Sequence, residues 1–498
     1  MLTAALFLAA LARYPQSKID HMVVLFMENR PFDHTFGCLK LPGSDYIEDG
    51  AVIPGSGGAA HFKCGNAPYA CKVPPVYDMW AGKTAPVVGK PNTYPYSNQS
   101  DQWAFERGAV ASSITSFGPQ GNALPIKAAF AEHFAVFNKY FSSVPSYSTP
   151  NHLYAQSATS CGIDDNINYK ECGGNTSSFP QKTIYDNLHA SGVSFAIYSN
   201  HTPHSADTNM MGVARYKDRF LGYPDFFGAA YNGTLPALSW VTPGTDPRTG
   251  GSNSDHPCHD VALGERLQKD IYEALRAGPK WNKTLLLVTY DDAGGFYDHV
   301  VPPHEGVPDD ESPCKLPYAL THGCKKKFDF RRLGTRLTSF LASPWLPKGI
   351  IIQEPKSKDA TSQFEHSSIS ATLVELFGLS GFLTKRDAWA GSFGELLTEK
   401  EPRTDAPMHL PDAPPPTAGV HVHGCDHEDP DWYPEKVTRR QERHLELWSR
   451  YNGIPLPDYK GVRGGAKWTA EQAEAWIQAQ YKVWRDAPVG SELLKDEI

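Results

Sequence analysis

Two apolar segments of the chain are followed directly by side chains that carry oxygen ligands. His21–Met27 is one apolar run, and Leu285–Tyr290 is a second run that is partly β-branched. Continuous apolar runs of this length are typical of strands that are buried on both faces of a sheet. The first run ends at Glu28–Asn29 and the second at Asp291–Asp292. Both segments therefore predict a strand whose carboxyl end carries polar chemistry.

These two strand ends predict a metal site if the strands are neighbours. Ligands of open α/β sheets bind at the carboxyl ends of the strands. Glu28, Asn29, Asp291 and Asp292 would there supply hard oxygen donors to one divalent cation of unspecified identity. The alternative is a solvated acidic turn after the second strand, because strand adjacency cannot be read from sequence.

Further periodic segments predict the elements around such a sheet. Helices are predicted over Ala128–Phe141, Thr183–His189, the segment from Asp260 to Arg276, and the segment from Glu365 to Phe377. Additional strands are predicted over Val193–Ser199, over Ala237–Thr242 and within Arg332–Ser343. The domain prediction is a signal peptide over residues 1–12, a catalytic domain over 18–400, and a helical C-terminal extension over 401–498 that packs on the core.

Charge and hydropathy exclude some classes of function. The chain has 498 residues and a formal net charge of −8, which argues against general nucleic-acid binding. An anionic substrate remains compatible with this charge, because a bound cation reverses the local field. No stretch is long and apolar enough to predict a transmembrane segment.

The N-terminus and the cysteines predict an oxidising compartment. Leu2–Ala12 is an apolar run with the small-residue ending of a signal peptide, which predicts secretion. Three loop disulfides are plausible among the nine cysteines, namely Cys64–Cys71, Cys161–Cys172 and Cys314–Cys324. Cys38, Cys258 and Cys425 are left over. N-glycosylation sequons begin at Asn98, Asn175, Asn200, Asn232 and Asn282. The C-terminal Lys-Asp-Glu-Ile makes retention in the endoplasmic reticulum lumen the alternative location.

Hydroxyl and imidazole groups supply candidate catalytic chemistry. Ser146, Ser148 and Thr149 precede Pro150 at the predicted start of a helix, where the dipole favours phosphate or an alkoxide. A simple N-cap is the alternative there. His256 and His259 lie just before the helix at Asp260, and they could act as ligands, general acids or phosphate contacts. The alternative is a solvated helix cap, with Asp260 as the capping residue.

Five motifs, in this order, resemble the phosphoesterase family that holds bacterial and plant non-specific phospholipases C and a bacterial acid phosphatase. The motifs are Met27–His34, Thr149–Asn151, Asp255–Asp260, Asp291–His299 and Glu365–Ser368. The resemblance runs from about residue 20 to about residue 400 and is closest to the plant branch. It implies an α/β, alkaline-phosphatase-like core with a mainly parallel sheet and helices on both faces.

The resemblance also implies roles for individual residues. The metal positions of the family fall on Glu28, Asn29, Asp291 and Asp292, and its nucleophile falls on Ser148, or on Thr149 if the match shifts by one residue. Four positions depart from the residues that are usual in plant members. Ser148 replaces Thr, Asp292 replaces Glu, Ala293 replaces His, and His152 replaces Arg. These departures leave the substrate preference open.

The function predicted from the resemblance is phospholipase C cleavage of a phospholipid through a covalent phosphoserine and a bound divalent metal. His256 or His259 would protonate the leaving oxygen, and His201, His204 and His366 would contact the phosphate oxygens. Peripheral contact with a membrane surface is compatible with such a substrate. The alternatives are a secreted acid phosphatase of broad specificity and a non-catalytic secreted binding protein.

Overall fold

The computed structural model describes most of the chain. The described residues are 18–52, 61–65, 115–117, 124–146, 148–162, 179, 181–199, 211–244, 252–256, 259–294, 296–309, 330–356, 358–416, 437, 439–461 and 467–487. The strands are β1 His21–Met27, β2 Lys63–Cys64, β3 Thr115–Ser116, β4 Ala135–Phe137, β5 Tyr140–Phe141, β6 Phe195–Tyr198, β7 Phe220–Leu221, β8 Leu238–Val241, β9 Thr284–Tyr290, β10 Phe340–Ala342, β11 Ile350–Ile352 and β12 Phe364–Glu365.

Eight of these strands form one sheet in the order β11-β4-β10-β9-β1-β8-β6-β7. Strand β10 runs antiparallel to both of its neighbours, and all other pairs in this sheet are parallel. The two strands predicted from the apolar runs are therefore adjacent and central. Their register pairs His21 with Thr284 and Met27 with Tyr290, so both strands end at the same level.

Helices lie along the sheet and connect its strands. They are α1 Phe32–Thr35, α2 Pro125–His133, α3 Ser148–Ser157, α4 Ile184–Ala190, α5 Met211–Ala214, α6 Tyr223–Asn232, α7 Val261–Ala277, α8 Ser368–Phe377, α9 Lys385–Trp389, α10 Arg439–Tyr451 and α11 Ala470–Asp486. Local sequence sets several ends: α4 begins at a capping box of Thr183 with Asp186, and α7 begins at Asp260, whose side chain accepts from Ala262 N–H.

The central strands are buried on both faces, as their composition predicts. Along β1, Val24 and Phe26 belong to one hydrophobic core, whereas Val23 and Leu25 belong to the other. The first core includes apolar side chains of α3, α4 and α8, and the second includes those of α2, α6 and α7. Burying one such side chain contributes about 1.5–3 kcal/mol. The predicted α/β class, with a mainly parallel sheet covered by helices on both faces, is confirmed.

One predicted helix is wrong in its second half. Only Pro125–His133 of the apolar stretch is helical, and the chain then forms β4 and β5. Val136 of β4 faces one core while Ala135 and Phe137 face the other. A short segment that is apolar throughout is compatible with both the helical and the strand period of apolar residues. Here the segment pairs with β10 and β11 and therefore forms a strand.

The cysteine pairing predicted for Cys64 is also wrong. Cys64 is bonded to Cys38, with the Cα atoms 5.8 Å apart, although 26 positions separate them. The chain between the two cysteines folds back on itself, because Gly50 N–H donates to the carbonyl of Phe62 and Phe62 N–H donates to the carbonyl of Ala51. Cys161 is disulfide-bonded as well, and its predicted partner Cys172 lies outside the described residues, as do Cys314 and Cys324.

The C-terminal helices α10 and α11 pack against each other and against the edge of the sheet. Trp484 of α11 lies 5.3 Å from Trp448 of α10 and 5.3 Å from Phe220 of β7, measured between ring centroids. Among the described helices, none has the length and apolarity needed to cross a bilayer. The predicted domain boundaries stay predictions, and the predicted signal peptide lies outside the described residues.

Candidate metal and nucleophile site

The carboxyl ends of β1 and β9 bring four oxygen-bearing side chains together. Asp291 N–H donates to the carbonyl of Met27 at 3.1 Å, and Asn29 N–H donates to Asp291 Oδ1 at 2.7 Å. Glu28 N–H donates to the carbonyl of Ser254 at 2.8 Å. Glu28, Asn29, Asp291 and Asp292 are named here the strand-end cluster. The predicted grouping of these residues from two remote segments is present in the structure.

An unusual backbone conformation makes this convergence possible. Asn29 has φ +62°, in the left-handed region that Asn tolerates better than most residues. Gly294 follows the acid pair with φ +59°, and a Cβ there would lie 2.5 Å from Asn29 Cβ. Only glycine therefore fits at this position, and its N–H donates to Asp292 Oδ1 at 2.6 Å.

The hydroxyl of Ser148 faces the strand-end cluster from the first residue of α3. Its Oγ lies 3.1 Å from Asp292 Oδ2 and 3.4 Å from Glu28 Oε2. Asn151 holds the preceding loop, because its side chain accepts from Val144 N–H at 3.1 Å and donates to the carbonyl of Ser146 at 3.2 Å. A hydroxyl at a helix start beside carboxylates is the arrangement expected of an activated nucleophile.

His152 also belongs to the site, a role that was not predicted from the sequence, where His152 stood out only as a replacement of the usual Arg. It lies one turn after Ser148 on α3, and its Nε2 is 3.3 Å from Glu28 Oε1 and 3.8 Å from Asp291 Oδ2. One ligand atom from each of these three residues lies within 4.8 Å of the others. The four-residue spacing from Ser148 was the signal available in the sequence, because it places both side chains on one helix face.

Burial and mutual repulsion make the two aspartates of the cluster costly to ionise. Burial, together with the Asp292 and Glu28 carboxylates, raises the pKa of Asp291 well above its ordinary value. Burial also raises the pKa of Asp292 to about 7, although the hydrogen bond from Gly294 N–H opposes the rise. Ser148 and Asp292 retain 8% and 7% exposure, whereas Asp291 is fully buried.

The donor set of the cluster fits a divalent cation. Three carboxylates and one amide are the ligands that hard cations prefer. The Asn29 amide group lies 3.0 Å from Asp291 Oδ1 and 3.3 Å from Asp292 Oδ1, with its nitrogen placed to donate to both. The four residues therefore meet the chemical requirement for such an ion.

The segment that carries His256 and His259 is attached to the same end of the sheet. His259 Nδ1 lies 2.9 Å from Ser254 Oγ, and the two imidazole rings are 5.5 Å apart between centroids. The carbonyl of Ser254 accepts from Glu28 N–H, so this segment borders the strand-end cluster. Asp260 caps α7, as the alternative interpretation of this motif predicted. Capping by Asp260 and function of the histidines are compatible.

A buried ion-pair network holds that segment in place. Lys127 Nζ lies 3.1 Å from Asp255 Oδ2 and 2.9 Å from Glu265 Oε1, with all three side chains fully buried. Tyr290, the last residue of β9, donates its hydroxyl to the same Asp255 oxygen. Burial alone would lower the pKa of Lys127, but the two carboxylates outweigh it and raise that pKa above its ordinary value. Lys127 thus stays charged in the core and fixes the strand end to the histidine segment.

His366 stands behind the strand-end cluster. Its Nε2 lies 2.7 Å from the carbonyl oxygen of Asp291, and burial lowers its pKa to about 3. The neutral ring therefore donates from Nε2 to this carbonyl and steadies the end of β9. The predicted phosphate contact of His366 stays a prediction. His201 and His204 lie outside the described residues.

Comparison with known proteins places these motifs in one family. The phosphoesterase family model matches residues 19–380. Non-specific phospholipase C6 of Arabidopsis thaliana is 36% identical over 80% of this chain and 76% of its own length. Non-specific phospholipase C1 of the same plant is 37% identical over 80% and 74%. The chain belongs to the phosphoesterase family. The predicted enzyme class, a hydrolase that acts on phosphoric esters, is confirmed at this level.

More distant matches to this phosphoesterase are of two kinds. Non-hemolytic phospholipase C of Pseudomonas aeruginosa is 24% identical over 82% of this chain and 61% of its own length. A solved protein of the alkaline phosphatase superfamily from Vibrio parahaemolyticus is 12% identical, with a TM-score of 0.32 over 54% of this chain and 64% of that one.

Replacing Lys127 with Met is expected to destabilise the phosphoesterase by about 3–5 kcal/mol, because Asp255 and Glu265 would stay buried without their cation. Chemical denaturation measures this loss. Lys40→Met is the matched control. Its pair with Glu48 is exposed, so the free energy of unfolding should hardly change. Equal effects of the two substitutions would contradict a structural role for the buried network.

The metal-free phosphoesterase is expected to lose stability as pH rises. A carboxyl group whose pKa is raised in the folded state binds its proton more tightly there, so its stabilising contribution is present below about pH 4. For Asp292 this contribution is lost as pH rises toward its folded pKa of about 7. Thermal unfolding in chelator at about pH 5 and about pH 8 measures the loss.

Asp292→Asn provides the control for that experiment, because an amide does not titrate. Its unfolding midpoint should depend less on pH than that of the wild-type protein. A divalent cation should stabilise the wild-type protein more at the higher pH, where the carboxylates are ionised. Wild-type protein in chelator that is as stable at the higher pH as at the lower pH would contradict the raised pKa.

Proposed function

We propose that this phosphoesterase is a phospholipase C, which cleaves a phospholipid to diacylglycerol and a phosphorylated head group. The observation that carries the proposal is the Ser148 hydroxyl, placed 3.1 Å from Asp292 at the meeting point of the two strand ends. The phospholipases C among its relatives support the choice of a phosphodiester substrate.

One divalent cation held by the strand-end cluster would supply Lewis-acid chemistry, stabilising negative charge on a phosphoryl oxygen and favouring the ionised serine. The chain itself supplies the nucleophile and the proton transfers. Ser148 Oγ attacks phosphorus, a bond from Oγ to phosphorus forms, and the bond from phosphorus to the diacylglycerol oxygen breaks. The serine proton passes to a nearby carboxylate, for which Asp292 Oδ2 and Glu28 Oε2 lie within reach.

The histidines complete the cycle in this proposal. His256 or His259 gives a proton to the leaving diacylglycerol oxygen, and then takes a proton from the water that attacks the phosphoserine. That second attack releases the phosphorylated head group and restores the Ser148 hydroxyl. His201, His204 and His366 are proposed to contact the phosphate oxygens during both steps.

We further propose that the enzyme works in a secretory or extracellular compartment, with the endoplasmic reticulum lumen as the alternative. The Cys38–Cys64 disulfide supports an oxidising environment. Asn232 and Asn282, which begin two of the sequons, are both exposed and would be accessible to glycosylation. A phospholipid substrate also requires contact with a membrane surface.

Ser148→Ala is expected to lower turnover of phosphatidylcholine at least about 1,000-fold, because the nucleophile is lost. Release of diacylglycerol measures turnover, and circular dichroism checks that the variant folds. Thr149→Ala is the matched control and should keep activity within a few-fold. Loss of activity in Thr149→Ala with retention in Ser148→Ala would move the nucleophile by one residue.

The same assay distinguishes the phospholipase from the other functions considered. Wild-type enzyme should hydrolyse phosphatidylcholine faster than a small aryl phosphate. Faster hydrolysis of the aryl phosphate would instead identify a broad-specificity phosphatase. Binding of phospholipid vesicles without hydrolysis of either substrate would identify a non-catalytic binding protein.

A further inference from the structure

His152 adds a nitrogen atom to a site otherwise built from oxygen atoms. Its Nε2 approaches Glu28 Oε1 at 3.3 Å and Asp291 Oδ2 at 3.8 Å, and all three side chains are buried. The ring also packs edge-on against Phe26, with centroids 4.9 Å apart. The imidazole is therefore held with Nε2 toward the carboxylates before any ligand arrives.

The separations suit metal ligands better than a direct ion pair. Charge-assisted hydrogen bonds between nitrogen and carboxylate are about 2.7–2.9 Å long. Both contacts of His152 with these carboxylates are longer than that. Ligand atoms about 2.1 Å from a transition-metal ion lie roughly 3.0–3.5 Å from one another around it. The two measured separations, 3.3 Å to Glu28 Oε1 and 3.8 Å to Asp291 Oδ2, are close to those of such a coordination shell.

We propose that His152 Nε2 is a ligand of the metal and that the site prefers a borderline transition-metal dication over Ca²⁺ or Mg²⁺. This inference rests on the proposed metal site and names the class of its ion. Imidazole suits Zn²⁺, Co²⁺ and Fe²⁺, whereas Ca²⁺ and Mg²⁺ take oxygen ligands almost exclusively. Four residues with oxygen donors and one with nitrogen make a mixed set that favours the first group.

The test measures metal binding to the full-length protein, not its activity. The protein is stripped with a chelator, and Zn²⁺, Co²⁺, Mn²⁺, Ca²⁺ and Mg²⁺ are titrated singly by calorimetry. Wild-type protein should bind Zn²⁺ and Co²⁺ at least about 100-fold more tightly than Ca²⁺ or Mg²⁺. His152→Ala should weaken Zn²⁺ and Co²⁺ binding by at least about 10-fold while changing Ca²⁺ and Mg²⁺ binding less than about threefold.

Two further variants separate a ligand from a simple positive charge. His152→Arg places a permanent cation at this position but offers no lone pair, so it should lose Zn²⁺ and Co²⁺ affinity as His152→Ala does. The visible absorption of the Co²⁺-loaded protein should change in both variants, because a nitrogen ligand is lost. His409→Ala, which removes an imidazole that is exposed on the surface, should behave as wild type.

The possible failures are distinguishable. His152→Arg that binds Zn²⁺ and Co²⁺ like wild type would overturn the inference, because His152 would then act only as a charge. Equal affinities of the wild-type protein for all five ions would overturn it as well. Wild-type protein that binds none of the ions would overturn the metal site itself. Failure of the proposed function is a separate outcome: wild-type protein with the expected metal affinities would hydrolyse the aryl phosphate faster than phosphatidylcholine, or would hydrolyse neither.

Discussion

Repulsion among buried carboxylates is the constraint on which the site depends. Glu28, Asp291 and Asp292 meet where two central strands end, and burial raises the pKa values of both aspartates. Two like charges about 4 Å apart repel each other by about 4 kcal/mol at an effective dielectric constant of 20. Such a cluster stays folded when it is protonated or when a cation joins it. The fold therefore creates a site at one end of its sheet that favours the binding of a cation.

The backbone around the cluster is arranged so that these groups cannot move apart. Asn29 adopts a left-handed conformation, and Gly294 packs so closely against it that no side chain fits. His366 donates to the carbonyl of Asp291 from behind, and Lys127 and Tyr290 hold Asp255 beside it. Two hydrophobic cores on either face of the sheet supply the stability that offsets this local cost. Hydrogen bonds and close packing therefore define the positions of these groups without any ligand.

The strand ends could be predicted from sequence because two simple patterns coincide there. Apolar runs followed by acids identify buried strands with polar ends, and parallel pairing brings such ends together. Ser148 needed the family resemblance, since its sequence neighbours offer several equivalent hydroxyls. His152 could have been found from its four-residue spacing to Ser148.

The network around Lys127 could not be predicted, because Lys127 and Asp255 are separated by 128 positions and neither lies in a periodic pattern that points to the other. The same limit applies to the strand β4. Its three apolar residues also suit the end of the helix before it, and only pairing with strands more than 200 positions away distinguishes the two. Whether a short apolar segment forms a helix or a strand depends on the distant segments with which it pairs. In a long segment, the spacing of the apolar residues itself indicates the secondary structure.

A second acidic group shows by contrast why the identity of the nearby cation matters. One ligand atom each from Asp33, Asp298 and His299 also lies within 4.8 Å of the others. There, however, Arg336 donates to both carboxylates, at 2.9 Å and 2.8 Å, from a fully buried position. A guanidinium is always charged, so this group carries its own permanent counterion. In the strand-end cluster the basic partner is His152, an imidazole that can be neutral and can then coordinate an ion. The permanent charge of Arg336 makes the group of Asp33, Asp298 and His299 a structural support. The imidazole of His152 leaves the strand-end cluster able to take its positive charge from outside the protein.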